Sequence, residues 1–110
     1  MAREAQIQRA ILEIWGAHPK IRLWRANAGT ALVPTSAGRL RPLRMNIPGC
    51  PDLIGWIAPN GIFLGIEVKG ARGRLRPEQI AFRDRLVADG GIYILARDIF
   101  DVSIALAGRL

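Results

Sequence analysis

The sequence predicts one α/β domain, residues 1–110, in which helices pack against a mixed sheet in the order α-β-(β)-β-β-α-β-α. Three observations carry this prediction. Apolar residues recur at helical spacing near the start of the chain, two strand-like runs (52–58 and 62–69) are joined by Pro-Asn-Gly, and a helical pattern separates the second run from a further strand. A hairpin followed by a helical crossover combines antiparallel and parallel pairing, which is typical of a mixed sheet.

The first elements follow from periodicity and from the residues that interrupt it. Residues 3–17 have the pattern of an amphipathic helix that ends before Pro19. Residues 21–27 (I-R-L-W-R-A-N) alternate apolar and polar side chains, as a half-buried strand does. Residues 28–51 are rich in Gly, Pro and Arg, so we expect loops around one or two short strands.

The second half of the chain has clearer boundaries. Asn60-Gly61 is a strong signal for a type I′ hairpin turn between the two central strands. Pro77 fits the first turn of a helix that runs to about Ala88 and stops at Gly-Gly (90–91). Residues 92–96 (I-Y-I-L-A) predict a short buried strand.

A last helix is predicted after this strand. Asp98 is expected to cap it, with Asp101 in the capping-box position three residues later. The apolar side chains expected to pack this helix against the core are Ile99, Phe100, Ile104 and Leu106.

Charge favours a nucleic-acid partner. Sixteen Lys and Arg, all but two of them Arg, stand against nine Asp and Glu, which gives a net charge of +7 and a pI near 11.3. Arginine suits bidentate phosphate contacts, although many basic proteins never contact DNA.

Composition also excludes several classes of protein. The single cysteine, Cys50, excludes an internal disulfide framework and a cysteine-cluster zinc site. The N-terminal residues lack the apolar region of a signal peptide, and no apolar run approaches the 18 or more residues of a membrane span. We therefore expect a cytoplasmic protein. Its three tryptophans (Trp15, Trp24 and Trp56) are expected in the core or at an interface rather than as platforms for base stacking.

The segment G-I-E-V-K-G (65–70) places charge at the end of an apolar strand, where burial is costly unless the charge is paired or metal-bound. A two-residue turn at Asn60-Gly61 would pair Asp52 with Lys69 and Ile54 with Glu67. Asp52, Glu67 and Lys69 would then share one face of the hairpin, with the two carboxylates as diagonal neighbours. The other face would carry no charge.

Two carboxylates so placed can share a hard divalent cation, and a neighbouring lysine can orient an attacking water. These are the parts that metal-assisted phosphodiester hydrolysis requires. The alternative is an ordinary cross-strand ion pair between Asp52 and Lys69 at a strand end.

Four segments of the sequence resemble the VRR-NUC family of the PD-(D/E)xK nuclease superfamily, in particular its small stand-alone viral or bacterial members. They read G-C-P-D-L-I-G-W, G-I-F-L-G-I-E-V-K, G-R-L-R-P-E-Q-I-A-F and G-G-I-Y-I-L-A-R. The upstream R-A-N-A-G (25–29) is similar to the family's R-x-N-x-G segment. The three-residue motif that gives the family its name is absent, which leaves the subfamily open. The resemblance implies a restriction-endonuclease-like PD-(D/E)xK core.

The resemblance also implies roles for individual residues. Asp52 and Glu67 would ligate Mg²⁺ or Mn²⁺, the Val68 carbonyl would complete the protein ligands, and Lys69 would position or activate the attacking water. Gln79 would support the site and the lysine. Glu4, on the first helix, matches an acidic residue that closes the metal site in related resolvase-like nucleases.

Basic residues near the proposed site are candidates for DNA contact. Arg72, Arg74 and Arg76 lie between the second central strand and the next helix, where they would contact phosphates or form a solvated basic loop. Arg25 and Asn27 could flank the cleft, or Asn27 could cap a turn.

The expected function is that of a Mg²⁺-dependent DNA endonuclease that selects its substrate by shape. The family's stand-alone members resemble Holliday-junction resolvases, which implies a homodimer acting on branched DNA such as four-way junctions. The resemblance also implies a bacterial or phage-encoded protein. Two alternatives are a DNA-binding module with a nuclease-derived fold and a nuclease subunit that is active only with a partner helicase or adaptor.

Overall fold

The computed structural model describes residues 3–26, 30–44 and 47–110, which form three helices and six strands. In chain order the elements are α1 (Glu4–Trp15), β1 (Ile21–Arg25), β2 (Thr30–Pro34), β3 (Leu40–Arg44), β4 (Leu53–Ile57), β5 (Ile62–Val68), α2 (Pro77–Ala88), β6 (Ile92–Ala96) and α3 (Ile99–Leu106). The predicted element order is confirmed. The described part of residues 28–51, where one or two short strands were predicted, contains two, β2 and β3.

The strands form two separate sheets. The larger sheet has the order β1-β4-β5-β6, with antiparallel pairs throughout except for the parallel pair β5–β6. The predicted mixed sheet is therefore confirmed. Within the described residues, strands β2 and β3 pair only with each other, as an antiparallel two-stranded ribbon. Leu32 and Leu40 on this ribbon are about two-thirds exposed.

The two faces of the larger sheet are covered differently. We call one the core face: α1 buries it with Ile7 and Ile11, and α3 with Val102 and Leu106. The sheet side chains on this face are Ile21, Leu53, Ile57, Leu64, Ile66, Val68, Ile92, Ile94 and Ala96. We call the opposite face the site face. There Leu86 of α2 packs over Gly65 of β5, so α2 covers this face near β5 and β6.

The hairpin between β4 and β5 corrects the predicted register. Ile57 pairs with Ile62, which leaves a four-residue turn (58–61) in place of a two-residue one. Gly61 has a positive φ of 71°, but Asn60 does not, so the turn is not type I′. The Ala58–Pro59 peptide bond is cis. The predicted pairs Asp52–Lys69 and Ile54–Glu67 are wrong, and Ile54 pairs with Gly65. A shift of two residues keeps every side chain on its predicted face.

The C-terminal helix is capped as predicted but packed differently. The Asp98 carboxylate accepts hydrogen bonds from the Phe100 and Asp101 amides (2.9 and 3.0 Å), and the Asp101 carboxylate accepts one from the Asp98 amide (3.3 Å). Leu106 and Ile99 pack against the core as expected, together with Val102. Phe100 and Ile104 were also expected to pack there, but both side chains are exposed. No helix within the described ranges is long and apolar enough to cross a membrane.

Candidate metal centre

The end of the β4–β5 hairpin brings two carboxylates together. The last ladder pair is Leu53 with Ile66, so one step further places Asp52 opposite Glu67. The two residues are therefore direct cross-strand neighbours rather than diagonal ones, which brings them closer than the predicted register did. The two residues are 15 positions apart in the sequence, and the strand pairing brings them together.

Each carboxylate accepts a hydrogen bond from the backbone of the opposite segment. The Asp52 amide donates to Glu67 Oε1 at 3.2 Å, and the Val68 amide donates to Asp52 Oδ2 at 2.8 Å. Among the described residues, no ion pair joins Asp52 to Lys69; the three that form all lie on or beside α2. The cross-strand ion pair considered from the sequence is therefore not formed.

The backbone of Val68 offers a third oxygen. In a strand, the N–H and C=O of one residue point towards the same neighbouring strand. Because the Val68 N–H is bonded to the Asp52 carboxylate, the Val68 carbonyl leaves β5 on the Asp52 side as well. Two carboxylates and one backbone carbonyl thus face the same corner of the sheet.

Burial makes this corner suitable for a cation. The Glu67 side chain is 2% exposed. Burial, followed by its hydrogen bond and repulsion with Asp52, raises the pKa of Glu67 from 4.5 to about 8. A positive charge between the two carboxylates would oppose this repulsion and favour the ionised form of both. The donor set is all oxygen, which is what Mg²⁺ and Mn²⁺ prefer, so the residues fit such an ion.

Protein side chains alone do not complete a coordination shell here. The described ranges contain no group of three or more His, Cys, Asp or Glu side chains that could hold a metal ion. Asp52, Glu67 and the Val68 carbonyl would therefore leave half of an octahedral shell to waters and substrate oxygens. That arrangement is the one usual for Mg²⁺, which keeps several waters.

Lys69 follows the carboxylates on the same strand and is half-buried. Its amide donates to the Ala96 carbonyl at 3.1 Å, which extends the parallel pairing one residue beyond β5. The turn after it packs on its aliphatic stem, because a Cβ at Gly73 would lie 3.1 Å from Lys69 Cβ. The Lys69 charge lowers the pKa of Glu67 and so opposes the larger effect of burial, which raises it.

Gln79 connects α2 to the corner formed by Asp52, Glu67 and the Val68 carbonyl, which we call the metal corner after the ion it is proposed to bind. Its side-chain oxygen accepts a hydrogen bond from the Arg76 amide at 2.8 Å, as the capping-box residue of the helix, and its side-chain nitrogen donates to Glu67 Oε2. The side chain is 5% exposed. The side-chain amide of Gln79 therefore caps the start of α2 and also contacts the Glu67 carboxylate. Gln79 thus lies beside the carboxylate that it was predicted to support.

A glycine-dependent contact holds α2 in place. Gly49 has a φ of 79°, and a Cβ at that position would overlap the Glu78 carbonyl oxygen in the first turn of the helix. Only glycine combines that backbone conformation with that approach. The loop before Asp52 can therefore pack directly against the turn that carries Gln79.

The remaining predicted site residues are less tightly connected to this corner. Glu4 accepts a hydrogen bond from the Gly70 amide at 3.0 Å, so it anchors the loop after Lys69, and it forms no carboxylate group of three with Asp52 and Glu67. Arg72, Arg74 and Arg76 are exposed on the β5–α2 loop, and Arg76 pairs with Glu78 at 3.2 Å. Arg25 donates to Gln8 of α1 at 2.6 Å. Asn27 lies outside the described residues.

Sequence reasoning missed one group beside the carboxylates. Tyr93 pairs with Gly65 across β5–β6, so it lies on the site face. Its hydroxyl is the buried side-chain polar atom that has no hydrogen-bond partner in the part of the chain described. Burial, followed by the charge of Glu67, raises the pKa of Tyr93. Only the parallel register reveals this neighbour, and periodicity carries no signal of it.

Comparison with known proteins agrees with this architecture. The sequence profile of the VRR-NUC domain matches residues 2–97. A solved structure described as a VRR-NUC domain covers 100% of both chains with a TM-score of 0.58 and 19% identity, a level that supports the fold alone. No curated protein matches the chain significantly. Since the profile spans most of the sequence, the chain belongs to the VRR-NUC domain family.

Proposed function

We propose that the protein is a DNA endonuclease that depends on Mg²⁺ or Mn²⁺. The observation that carries this proposal is the convergence of Asp52, Glu67 and the Val68 carbonyl at one buried corner, with Lys69 beside them. Membership of a nuclease family supports the same reaction class. When bound there, a divalent cation would supply positive charge at the scissile phosphate and acidify water.

The chain's own residues would do the rest. Asp52 and Glu67 would hold the cation, and their fixed backbone partners would keep both carboxylates in place before substrate arrives. Gln79 would orient Glu67 through its amide nitrogen. Lys69 would position the attacking water and stabilise charge that develops on the phosphate oxygens.

The substrate proposal is DNA bound mainly through its backbone. The net charge of +7 and the exposed arginines on the β5–α2 loop, beside the metal corner, support it. Such contacts carry no sequence information, so selection would rest on DNA shape. We further propose that the protein acts as a homodimer on branched DNA, since two-fold symmetry suits a substrate that needs paired cuts.

The test is cleavage of labelled linear duplex, flap and four-way junction with Mg²⁺, Mn²⁺ or Ca²⁺. The wild type is compared with Asp52→Asn and Lys69→Ala, and with Asp84→Asn, which alters an exposed carboxylate on α2, as the matched control. We expect Mg²⁺- or Mn²⁺-dependent cutting that both site variants lose and the control keeps. Sedimentation of the wild type with and without junction DNA tests the homodimer.

Two results would overturn the proposal. Tight DNA binding without cutting under every metal would leave a DNA-binding module or a subunit that needs a helicase or adaptor. Cutting that survives in both site variants would place the chemistry elsewhere in the molecule.

A further inference from the structure

The site face carries an aromatic surface that the proposed chemistry does not use. Trp24 of β1 and Trp56 of β4 meet edge to face, with ring centroids 5.6 Å apart and planes at 77°. Phe63 of β5 is paired with Trp56 across the hairpin. All three side chains remain 38–45% exposed. We call Trp24, Trp56 and Phe63 the aromatic row.

The aromatic row contributes nothing to the hydrophobic core. The core lies on the opposite face of the sheet, beneath α1 and α3, and α2 covers the site face near β5 and β6. The tryptophans were expected in the core or at an interface, and the described structure does not place Trp24 and Trp56 in the core. Contiguous exposed aromatic surface of this kind marks an interaction site.

Charge around the row favours a polyanion as the occupant. Between Glu13 and Asp52 the sequence contains no Asp or Glu, but it contains six Lys and Arg. This acid-free stretch includes all of β1, which carries Trp24, and Arg22, which pairs with Trp56. An anionic strand that lies along β1 would therefore meet Arg22 and the aromatic rings beside it before it reaches the metal corner.

The row also lies within reach of that corner. Asp52, Ile54 and Trp56 point to the same face at alternate positions, so Trp56 is roughly 13 Å along the sheet from Asp52. Trp24 pairs with Ile54, which places its backbone diagonal to Asp52 at about 7–8 Å. If the scissile phosphate is bound at the metal corner, the adjacent nucleotides of the same strand would lie over the aromatic row.

We propose that the aromatic row is a subsite that stacks one or two unpaired bases of the DNA substrate next to the scissile phosphate. This inference rests on the proposed nuclease function and specifies its substrate as DNA that contains an unpaired or frayed segment. Base–aromatic stacking tolerates any sequence because every base presents a π face. The edge-to-face contact fixes both indoles beforehand, which lowers the entropic cost of binding.

The experiment measures binding in EDTA, so that cleavage plays no part. In a Trp15→Phe background all tryptophan emission comes from Trp24 and Trp56, and stacking of a base on either indole quenches that emission. The probes are a short single-stranded oligonucleotide, the same oligonucleotide with abasic sites, and a blunt duplex. Trp24→Ala and Trp56→Ala are compared with Trp24→Phe, and with Phe100→Ala, which removes an exposed aromatic ring on α3 away from the site face.

Stacking predicts quenching by the single strand and much less by its abasic form. Each alanine variant should bind the single strand about tenfold more weakly while its affinity for blunt duplex changes little. Trp24→Phe should retain most of the affinity, and Phe100→Ala all of it.

Three outcomes would overturn the inference. Equal quenching by the abasic strand would mean that phosphates rather than bases are sensed. Equal loss of affinity for all probes would mean a general structural defect. Conversion of a dimer to a monomer by Trp56→Ala, with DNA affinity per protomer unchanged, would assign the row to a contact between two copies.

The two proposals can fail separately. Quenching by bases without cleavage in Mg²⁺ or Mn²⁺ would sink the nuclease and keep the base-stacking surface. Metal-dependent cleavage without quenching, together with wild-type affinity of Trp24→Ala and Trp56→Ala for single-stranded DNA, would support the nuclease and contradict the base-stacking subsite.

Discussion

On the core face of the sheet, Leu64, Ile66 and Val68 of β5 are excluded from water by α1 and α3. On the site face of the same strand, Phe63 is partly exposed and Glu67 is buried against a second carboxylate. Consecutive residues of one strand thus perform opposite tasks. Apolar burial stabilises the fold on one side, and two carboxyl groups that disfavour each other's ionisation are held together on the other.

Because the side chains of a strand alternate between the two faces of the sheet, neighbouring residues can serve stability on one face and chemistry on the other. Side chains on the core face should affect the free energy of unfolding and leave turnover per folded molecule unchanged. Side chains at the metal corner should affect turnover and leave the fold intact, or even stabilise it.

The largest effect is expected from Asp52→Asn. Cleavage should fall by roughly a thousandfold or more, because one of two anionic ligands is lost and with it several kcal/mol of charge stabilisation. The thermal midpoint in EDTA should not fall, since the amide oxygen can still accept from Val68 and repulsion with Glu67 is removed. Single-turnover kinetics and calorimetry check this, and a large drop in the midpoint would contradict the separation.

On the core face, Leu64→Ala should cost about 2–5 kcal/mol of unfolding free energy in urea titration, because its side chain is fully buried. Leu40→Ala on the exposed ribbon is the matched control and should change stability by about 0.5 kcal/mol at most. Cleavage per folded molecule should be preserved in both. Loss of turnover by Leu64→Ala under conditions where it remains folded would break the comparison.

A pair of glutamines tests the contribution of orientation. Gln79→Met keeps the side-chain volume but removes both the cap to Arg76 and the hydrogen bond to Glu67. Metal affinity or cleavage should fall by about 10–100-fold. Gln6→Met removes the equivalent capping bond to the Arg3 amide in α1 and leaves the hydrogen bonds of Glu67 in place. If both variants lose the same activity, the effect is helix capping rather than orientation of Glu67.

The smallest predicted effect is a change of stability with pH in EDTA. The unfolded chain releases the Glu67 proton near pH 4.5 and the folded protein near pH 8. Between these values the folded state binds more protons, so its stability falls as pH rises. The melting temperature should drop by several degrees across this window, and Glu67→Gln should flatten the curve whereas Glu13→Gln should not. A wild-type melting temperature that rises through the window would contradict the assignment.

Much of this arrangement could be predicted from the sequence because it depends on short-range patterns. Helix α2 and strand β6 begin and end at the predicted residues, since Pro77 and the Gly-Gly pair mark boundaries that periodicity confirms. The separation of charges to one hairpin face survived a wrong register because the error was an even number of residues.

What could not be predicted depends on packing between elements distant in sequence. The hydrogen bond from Gln79 to Glu67 requires the position of α2 over the sheet, which the contact at Gly49 determines. The exposure of Trp24 and Trp56 depends on which strands α2 leaves uncovered, and no local pattern encodes that choice. The prediction that Phe100 packs against the core was wrong because the sequence does not give the orientation of α3 relative to the sheet.

The metal corner is assembled from one contiguous segment, residues 52–79, which forms a hairpin and the start of the next helix. Contacts of such short sequence separation close small loops and can form early in folding. The ribbon of β2 and β3 lies entirely outside this segment. Its connecting turn (35–39) is therefore where we expect the chain to accept an insertion, such as a tag or a second binding module, without a change in the geometry of Asp52 and Glu67.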